Sequence, residues 1–307
     1  MKPLLVVNPK AGGGKTGRLA SEIRAVVERS LGETDVVFTS HRGDAMTIGE
    51  RAAREGRELL VAVGGDGTFS EAACGILRGE GGPTTRLGLI GQGTGGDFRK
   101  TLGLEHRLDR YVEAIASGRE RLVDVGKARF RGADGGEVER YFVNILSAGM
   151  GGLVDSYVAS GSRALGGTAA YFVASTKALF RVRRGRLRCT IDGTEHELSS
   201  YMIAICNGRY FGSGMHVAPM ALVDDGKLEV VSMDAPSKLA FAAFSRKIYD
   251  GSHLRAPGVR HFTCERVDLD LANEEARETF LLDVDGEPLG GLPLSVEIVP
   301  RALTLRA

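Results

Sequence analysis

Leu59-Leu60-Val61-Ala62-Val63-Gly64-Gly65-Asp66-Gly67-Thr68 is the stretch that decides how this chain folds. Its five leading apolar residues do not alternate with polar ones, so they read as a strand covered on both faces. The glycines that follow let the backbone turn and approach a ligand with no Cβ in the way. A helical pattern from about Thr68 to Leu77 comes next. The same order recurs on either side. Leu4 to Asn8 leads into Asn8-Pro9-Lys10-Ala11-Gly12-Gly13-Gly14-Lys15-Thr16 and a helix over about Gly17 to Leu31. Val36 to Thr39 precedes a helix over about Asp44 to Glu55. Leu87 to Ile90 leads into Gly91-Gln92-Gly93-Thr94-Gly95-Gly96-Asp97 and helices to about Ser117. Strand, loop and helix in repetition predict a mostly parallel sheet with helices on both faces: a Rossmann-like α/β domain over 1–120. In such sheets ligands bind beyond the carboxyl ends of the strands, where three of these glycine loops fall.

After about Arg121 the period changes. Runs of strand character appear at Leu122–Phe130, Glu139–Leu146, Arg186–Ile191, Tyr201–Cys206, Lys227–Met233, Val267–Leu271, Thr279–Val284 and Leu294–Val299. Asp192-Gly193, Asp225-Gly226 and Asp285-Gly286 mark turns between them. They predict a mainly antiparallel β-sandwich over 121–291, with a tail of about 292–307 packing back onto the first domain. Helical patterns at about Thr168–Val182 and Ser237–Tyr249 interrupt it.

Composition narrows the function classes. The 307 residues carry 40 Lys+Arg and 39 Asp+Glu, a net charge of +1, so no global basic field is available for nucleic acid. Glycine, at 43 residues, is about twice its usual share and shows no Gly-X-Y period, which excludes collagen. Cys74, Cys189, Cys206 and Cys264 show neither a disulfide framework nor zinc spacing and fit a reducing compartment. The first apolar run is too short for a signal peptide, and no run reaches membrane-spanning length. A cytoplasmic protein is expected, with work at a membrane surface left open.

The loops carry the chemistry. Gly-Lys-Thr at 14–16 ends like a P-loop, but Pro9 stands where the P-loop spacing needs glycine. An anion cradle opening a helix still suits it. Asp66 sits inside a loop shaped for phosphate, where an acid repels unless a divalent cation bridges the two. It therefore points to Mg²⁺-nucleotide chemistry or to proton abstraction from a hydroxyl, with a helix cap as the structural alternative. Gly91, Gly93 and Gly96 match G-x-G-x-x-G in the fourth unit rather than the first, a weak dinucleotide signal. There is no G-x-S-x-G and no H-E-x-x-H.

Together these motifs resemble the diacylglycerol kinase catalytic-domain family, which includes bacterial soluble lipid kinases and sphingosine and ceramide kinases. The resemblance rests on Asn8-Pro9-x-x-Gly12, Thr39 before Gly43-Asp44, Gly64-Gly65-Asp66-Gly67-Thr68 with Glu71, Gly93-Thr94-x-x-Asp97-Phe98, and Asp124. It continues through Asn207-Gly208-x-x-x-Gly212-x-Gly214-Met215, Asp225-Gly226 and Asp285-Gly286-Glu287. It implies an NAD kinase/diacylglycerol kinase-like fold and ATP-dependent phosphorylation of a lipid hydroxyl. Asn8, Gly12, Thr39, Gly64, Gly65, Asp66, Gly67, Thr68, Glu71, Gly93 and Thr94 would face the nucleotide. Asp66, and Asp124 through water, would hold catalytic Mg²⁺. Glu287 beside Asp285 would take the hydroxyl proton, a role that Asp66 shares by analogy. A second, structural Mg²⁺ would sit at Asp225 and the main-chain carbonyls of Leu222 and Lys227. The implied partners are ATP and a lipid at the membrane surface, with a homodimer left open. NAD-kinase-like phosphorylation of a soluble nucleotide is the alternative, as is a catalytically impaired regulator. The family usually has Asn where this chain has Gly96.

Two features bear on the membrane. Residues 180–188 hold five arginines and no acid, enough to attract anionic lipid or simply to make a solvated strand face. The pattern from Thr168 to Phe180, with Tyr171, Phe172, Val173, Leu179 and Phe180, fits either an acyl-chain cleft or ordinary core.

Overall fold

The computed structural model describes residues 2–79, 84–93, 95–132, 135–160 and 167–307. The first part contains β1 (Leu4–Val7), α1 (Lys15–Leu31), β2 (Asp35–Phe38), α2 (Asp44–Arg54), β3 (Leu59–Gly64), α3 (Asp66–Arg78), β4 (Arg86–Gly91), α4 (Asp97–Leu102) and α5 (Leu108–Ala116). Its strands lie in the order β4-β3-β1-β2, all parallel. Every residue of β3 is buried, as expected of a strand covered on both faces.

The second part contains β5 (Glu120–Arg131), β6 (Glu137–Phe142), β7 (Ile145–Gly149), α6 (Met150–Ser160), α7 (Gly167–Arg181), β8 (Gly185–Ile191), β9 (Thr194–Ser200) and β10 (Met202–Cys206). It continues with β11 (Leu228–Met233), α8 (Lys238–Ser245), β12 (Val259–Cys264), β13 (Arg266–Leu271), β14 (Leu281–Val284) and β15 (Glu287–Arg306). One layer runs β12-β11-β10-β7-β14-β15 and the other β9-β8-β13-β15-β5-β6, antiparallel throughout. Phe130 and Phe142 from one layer meet Leu146, Ile203 and Leu282 from the other in a common apolar core. The architecture is thus an N-terminal α/β domain with a C-terminal β-sandwich. The far end of β15 also pairs parallel with β4, through Leu305 and Arg306.

Two strands, β9 and β12, and helix α6 have no counterpart among the sequence expectations. β9 is polar at most positions, β12 mixes Arg260, His261 and Thr263 with its apolar residues, and α6 opens on Met150-Gly151-Gly152, a poor helical signal. The run expected over Glu139–Leu146 is two strands. Its break has a visible cause: the N–H groups of Val143 and Asn144 donate to the Asp285 carboxylate at 2.9 and 3.1 Å instead of joining a ladder. Ile145 N and Ser70 Oγ donate to the same carboxylate at 2.9 and 2.7 Å. Asp285 therefore ties α3 of the first part to the β6–β7 break of the second.

Its own backbone explains the residue types. Asp285 and Gly286 have φ of +50° and +87°, the two-residue hairpin turn that favours Asp-Gly. Asp285→Ala should cost about 3 kcal/mol or more, because several buried N–H donors lose their acceptor. Chemical denaturation would show this as a lower midpoint with an unchanged slope.

Among the described residues no helix is long and apolar enough to cross a membrane. All four cysteines are free and buried.

Candidate active site

A cleft of about 460 Å³ opens between the carboxyl ends of the parallel strands and the β14–β15 hairpin. Asn8, Thr39, Gly65, Asp66, Gly67, Thr68, Glu71 and Gly93 line one side, and Asp285, Gly286 and Glu287 the other. A larger hollow of about 930 Å³ lies on the outer face of the sandwich. Its lining includes the ion pairs Arg188–Asp270, across β8 and β13, and Arg266–Asp268, along β13, and it holds none of the glycine loops.

The glycine-loop wall is built by close backbone contact. A Cβ on Gly93 would lie 2.7 Å from Gly65 Cα, so two loops can touch only as glycines. Gly12 meets Gln92 O in the same way, at 2.6 Å, and braces the wall from outside the cleft. Gly64 likewise lies behind the lining, against Thr68. Asn8 Nδ2 donates to Thr68 Oγ1 at 3.1 Å, and its Oδ1 accepts from Lys10 N at 3.0 Å. Helix α3 starts at Asp66, two residues earlier than expected, so its N-terminal N–H groups and dipole face the cleft. Thr94 lies outside the described residues.

Asp66 is a helix cap, but not of its own helix. Its carboxylate accepts from Asp97 N at 3.3 Å and Phe98 N at 3.4 Å, at the start of α4. Burial raises its pKa and the neighbouring Asp97 adds to this, against these backbone donors. Asp97 is held by Lys100 Nζ at 2.9 Å and by Ser213 N at 2.8 Å. Gly96, which caps α4, has φ +61° and ψ +41°. Glycine and asparagine are the residues that adopt this left-handed conformation readily. The departure from Asn therefore preserves the backbone and loses only a side chain. Gly96→Asn should leave the melting temperature within a few degrees, whereas Gly96→Val should lower stability by about 1–2 kcal/mol; thermal melts of the two would check this.

Glu71 does not point a free carboxylate at the cleft. Its oxygens accept from Gly43 N at 2.9 Å and Ala45 N at 3.2 Å, capping α2. That orders the segment carrying Thr39, His41 and Arg42, all of which line the cleft. Glu287 lies against Glu71. Arg140 Nη2 donates to it at 2.8 Å, and Arg42 Nε lies 3.9 Å away. Burial raises the Glu287 pKa, Arg140 opposes this, and Glu71 adds to the rise. The result is a carboxyl group that ionises above its ordinary range while facing the loops.

The structure does not bring every expected residue to the cleft. Asp285 lines it, with both its oxygens engaged as described above. Asp124 is buried and absent from the lining: Oδ2 accepts from Gly226 N and Oδ1 from Arg301 N, both at 2.7 Å. It pins the 222–227 turn to β5 and β15. In that turn Asp225 Oδ1 accepts from Lys227 N at 3.0 Å, and Leu222 is exposed. No group of three or more His, Cys, Asp or Glu suited to a metal occurs among the described residues. The glycine-rich 207–215 loop docks on α4, through Ser213 N on Asp97 and Arg209 N on Thr101 Oγ1 at 3.0 Å.

Four groups escaped the sequence reading. Arg140 acts on a residue 147 positions away, and nothing in its neighbours marks it. Lys10 and Arg42 line the cleft and lie inside segments already singled out. Asp155 of α6 faces Asp283 of β14; burial raises the pKa of both, and Asp155 raises that of Asp283 further.

Two family models match. The diacylglycerol kinase catalytic domain covers residues 2–128, and the YegS C-terminal NAD kinase beta sandwich-like domain covers 144–307. The chain carries a diacylglycerol kinase catalytic domain and belongs, through the model that spans more than half of it, to the family with the YegS C-terminal domain. The family and enzyme class expected from the motifs therefore stand: it is a lipid-kinase-type phosphotransferase. Relatives of this family include "Probable lipid kinase YegS-like" of Citrobacter koseri, 25% identical, covering 99% of this chain and 95% of the relative. A "Diacylglycerol kinase" of Staphylococcus carnosus is 26% identical, covering 94% and 89%. The solved structure of a diacylglycerol kinase from Bacillus anthracis superposes with a TM-score of 0.72 at 22% identity, covering 99% of this chain and 96% of that one. Yeast NADH kinase gives 0.52 at 10% identity, covering 99% and 82%. These two likenesses speak to the fold alone.

Proposed function

We propose that the protein transfers the γ-phosphoryl group of Mg-ATP to the hydroxyl of a lipid such as diacylglycerol, a sphingoid base or ceramide. The observation that carries this reading is the placement of Glu287, a carboxyl with a raised pKa, opposite the glycine loops. A base whose pKa approaches the working pH takes a proton most effectively. The N-terminus of α3 and the bare Gly65 and Gly93 backbones receive the phosphates. Lys10 and Arg42 add positive charge where the transferred group passes. Arg140 holds Glu287 by a buried ion pair and fixes its direction. The donor chemistry at Asp66 suits a hard cation, because this buried carboxylate has no ion-pair partner among the described residues. Mg²⁺ held there supplies charge neutralisation at the phosphates. Asp124 and the 222–227 turn stay outside the proposal, since neither lines the cleft.

The test incubates purified protein with γ-labelled ATP and, separately, micellar diacylglycerol, sphingoid base, ceramide and dissolved NAD. Label in a lipid supports the reading. Label only in NAD overturns it in favour of a nucleotide kinase. No transfer to any acceptor overturns it in favour of a binding regulator.

A further inference from the structure

We propose that the solvent faces of α7 and α8 form the surface on which the protein docks to an anionic lipid bilayer. The inference rests on the lipid-acceptor reading above, and its test uses neither ATP nor acceptor. On α7, Ala174 and Ala178 are buried, while Val173, Thr176, Lys177, Phe180 and Arg181 point outward at helical spacing. Val173 and Phe180 are 54% and 69% exposed, so they do not line an acyl-chain cleft. On α8, Phe241 is buried and Leu239 is 75% exposed, with Ala243, Arg246 and Lys247 following on its face. Lys238 Nζ donates to the carbonyl of Phe180 at 2.6 Å, which sets the start of α8 against the end of α7. Tyr249, also exposed, follows Arg246.

Large exposed side chains on helix ends need a reason, and charge supplies the occupant. Residues 173–183 contain three basic residues and no acid, and residues 235–249 contain three and none. In a chain that is otherwise balanced, both stretches meet where α8 begins against the end of α7. The five arginines of 180–188 are not equivalent. Arg184 is paired with Asp234 and Arg188 with Asp270. Arg181, Arg183, Arg246 and Lys247 have no side-chain partner among the described residues. Apolar tips set among unpaired cations suit the headgroup boundary of an anionic membrane, where the tips insert and the cations meet phosphate.

Co-sedimentation of the intact protein with phosphatidylcholine vesicles, with and without phosphatidylglycerol, tests this. Binding should require phosphatidylglycerol and weaken as salt rises. Phe180→Ser with Leu239→Ser should lower the partition coefficient about tenfold or more. Arg181→Ser with Arg183→Ser should lower it about fivefold per charge. Leu19→Ser, an exposed residue of α1, should change nothing. Binding that ignores phosphatidylglycerol, or that neither double variant weakens, overturns the proposal. A wild-type dimer in sedimentation velocity that Phe180→Ser with Leu239→Ser dissociates also overturns it, because a second copy then covers the face. Should the apolar pair fail to melt cooperatively, the arginine pair alone decides.

Discussion

Glu287→Gln should lower the turnover of lipid phosphorylation by about 10²–10⁴-fold, the usual contribution of a positioned general base. Glutamine keeps an oxygen for the Arg140 guanidinium and nearly the same volume, so the variant should still melt cooperatively. ATP binding, read by equilibrium dialysis, should be almost unchanged. The pH profile supplies an independent check. Burial holds the Glu287 carboxyl above its ordinary range in the folded chain, and Glu71 adds to this. The base form therefore accumulates late, and the acid limb of kcat should rise above the pH expected for a free glutamate. Stability follows the opposite sign: the contribution of a raised carboxyl is complete below its unfolded pKa and is lost as pH climbs through the folded one. Arg140→Met removes the opposing cation, so it should move the acid limb to still higher pH. If Arg140 were merely structural, melting would fall and the limb would stay in place.

Asp66→Asn carries the second large effect. A metal site supplies several kcal/mol of charge stabilisation at the transferring phosphoryl group, so the loss should be about 10²–10³-fold in kcat. The apparent Mg²⁺ requirement should rise with it. Asparagine retains a carbonyl to accept from the start of α4, where Asp66 accepts from Asp97 N and Phe98 N. The fold should therefore survive. Had Asp66 only a capping role, Asp66→Ala would lower stability by about 0.5–2 kcal/mol and leave the Mg²⁺ requirement unmoved. Activity against Mg²⁺ concentration and thermal melts on both variants separate these outcomes.

Much of the first domain was legible because its signals are local. A buried parallel strand is a continuous apolar run, and Leu59–Gly64 shows one. The loops after it announce themselves by glycine. The second domain was harder to read. Its strand β9 is polar at most positions, because a strand on the outer layer needs only half its side chains inside. The single run expected over Glu139–Leu146 failed for a reason invisible locally: the acceptor that breaks it, Asp285, lies some 140 residues further along.

The chain's own pattern determined the α/β-plus-sandwich class and the glycine-loop side of the cleft with Asp66 in it, whereas Glu287 was expected through the family resemblance. Those properties depend on neighbours in sequence, on periodicity, and on residue types with few alternative uses. Tertiary structure alone decided what each acid meets. Asp124, Asp285, Glu71 and Asp66 all accept from backbone donors, and of the four only Asp124 is absent from the cleft lining. Glu287 instead faces the cleft against Arg140 and a second carboxyl. A carboxylate's pKa and reach are set by burial and by partners brought from distant parts of the chain, and no local pattern encodes them.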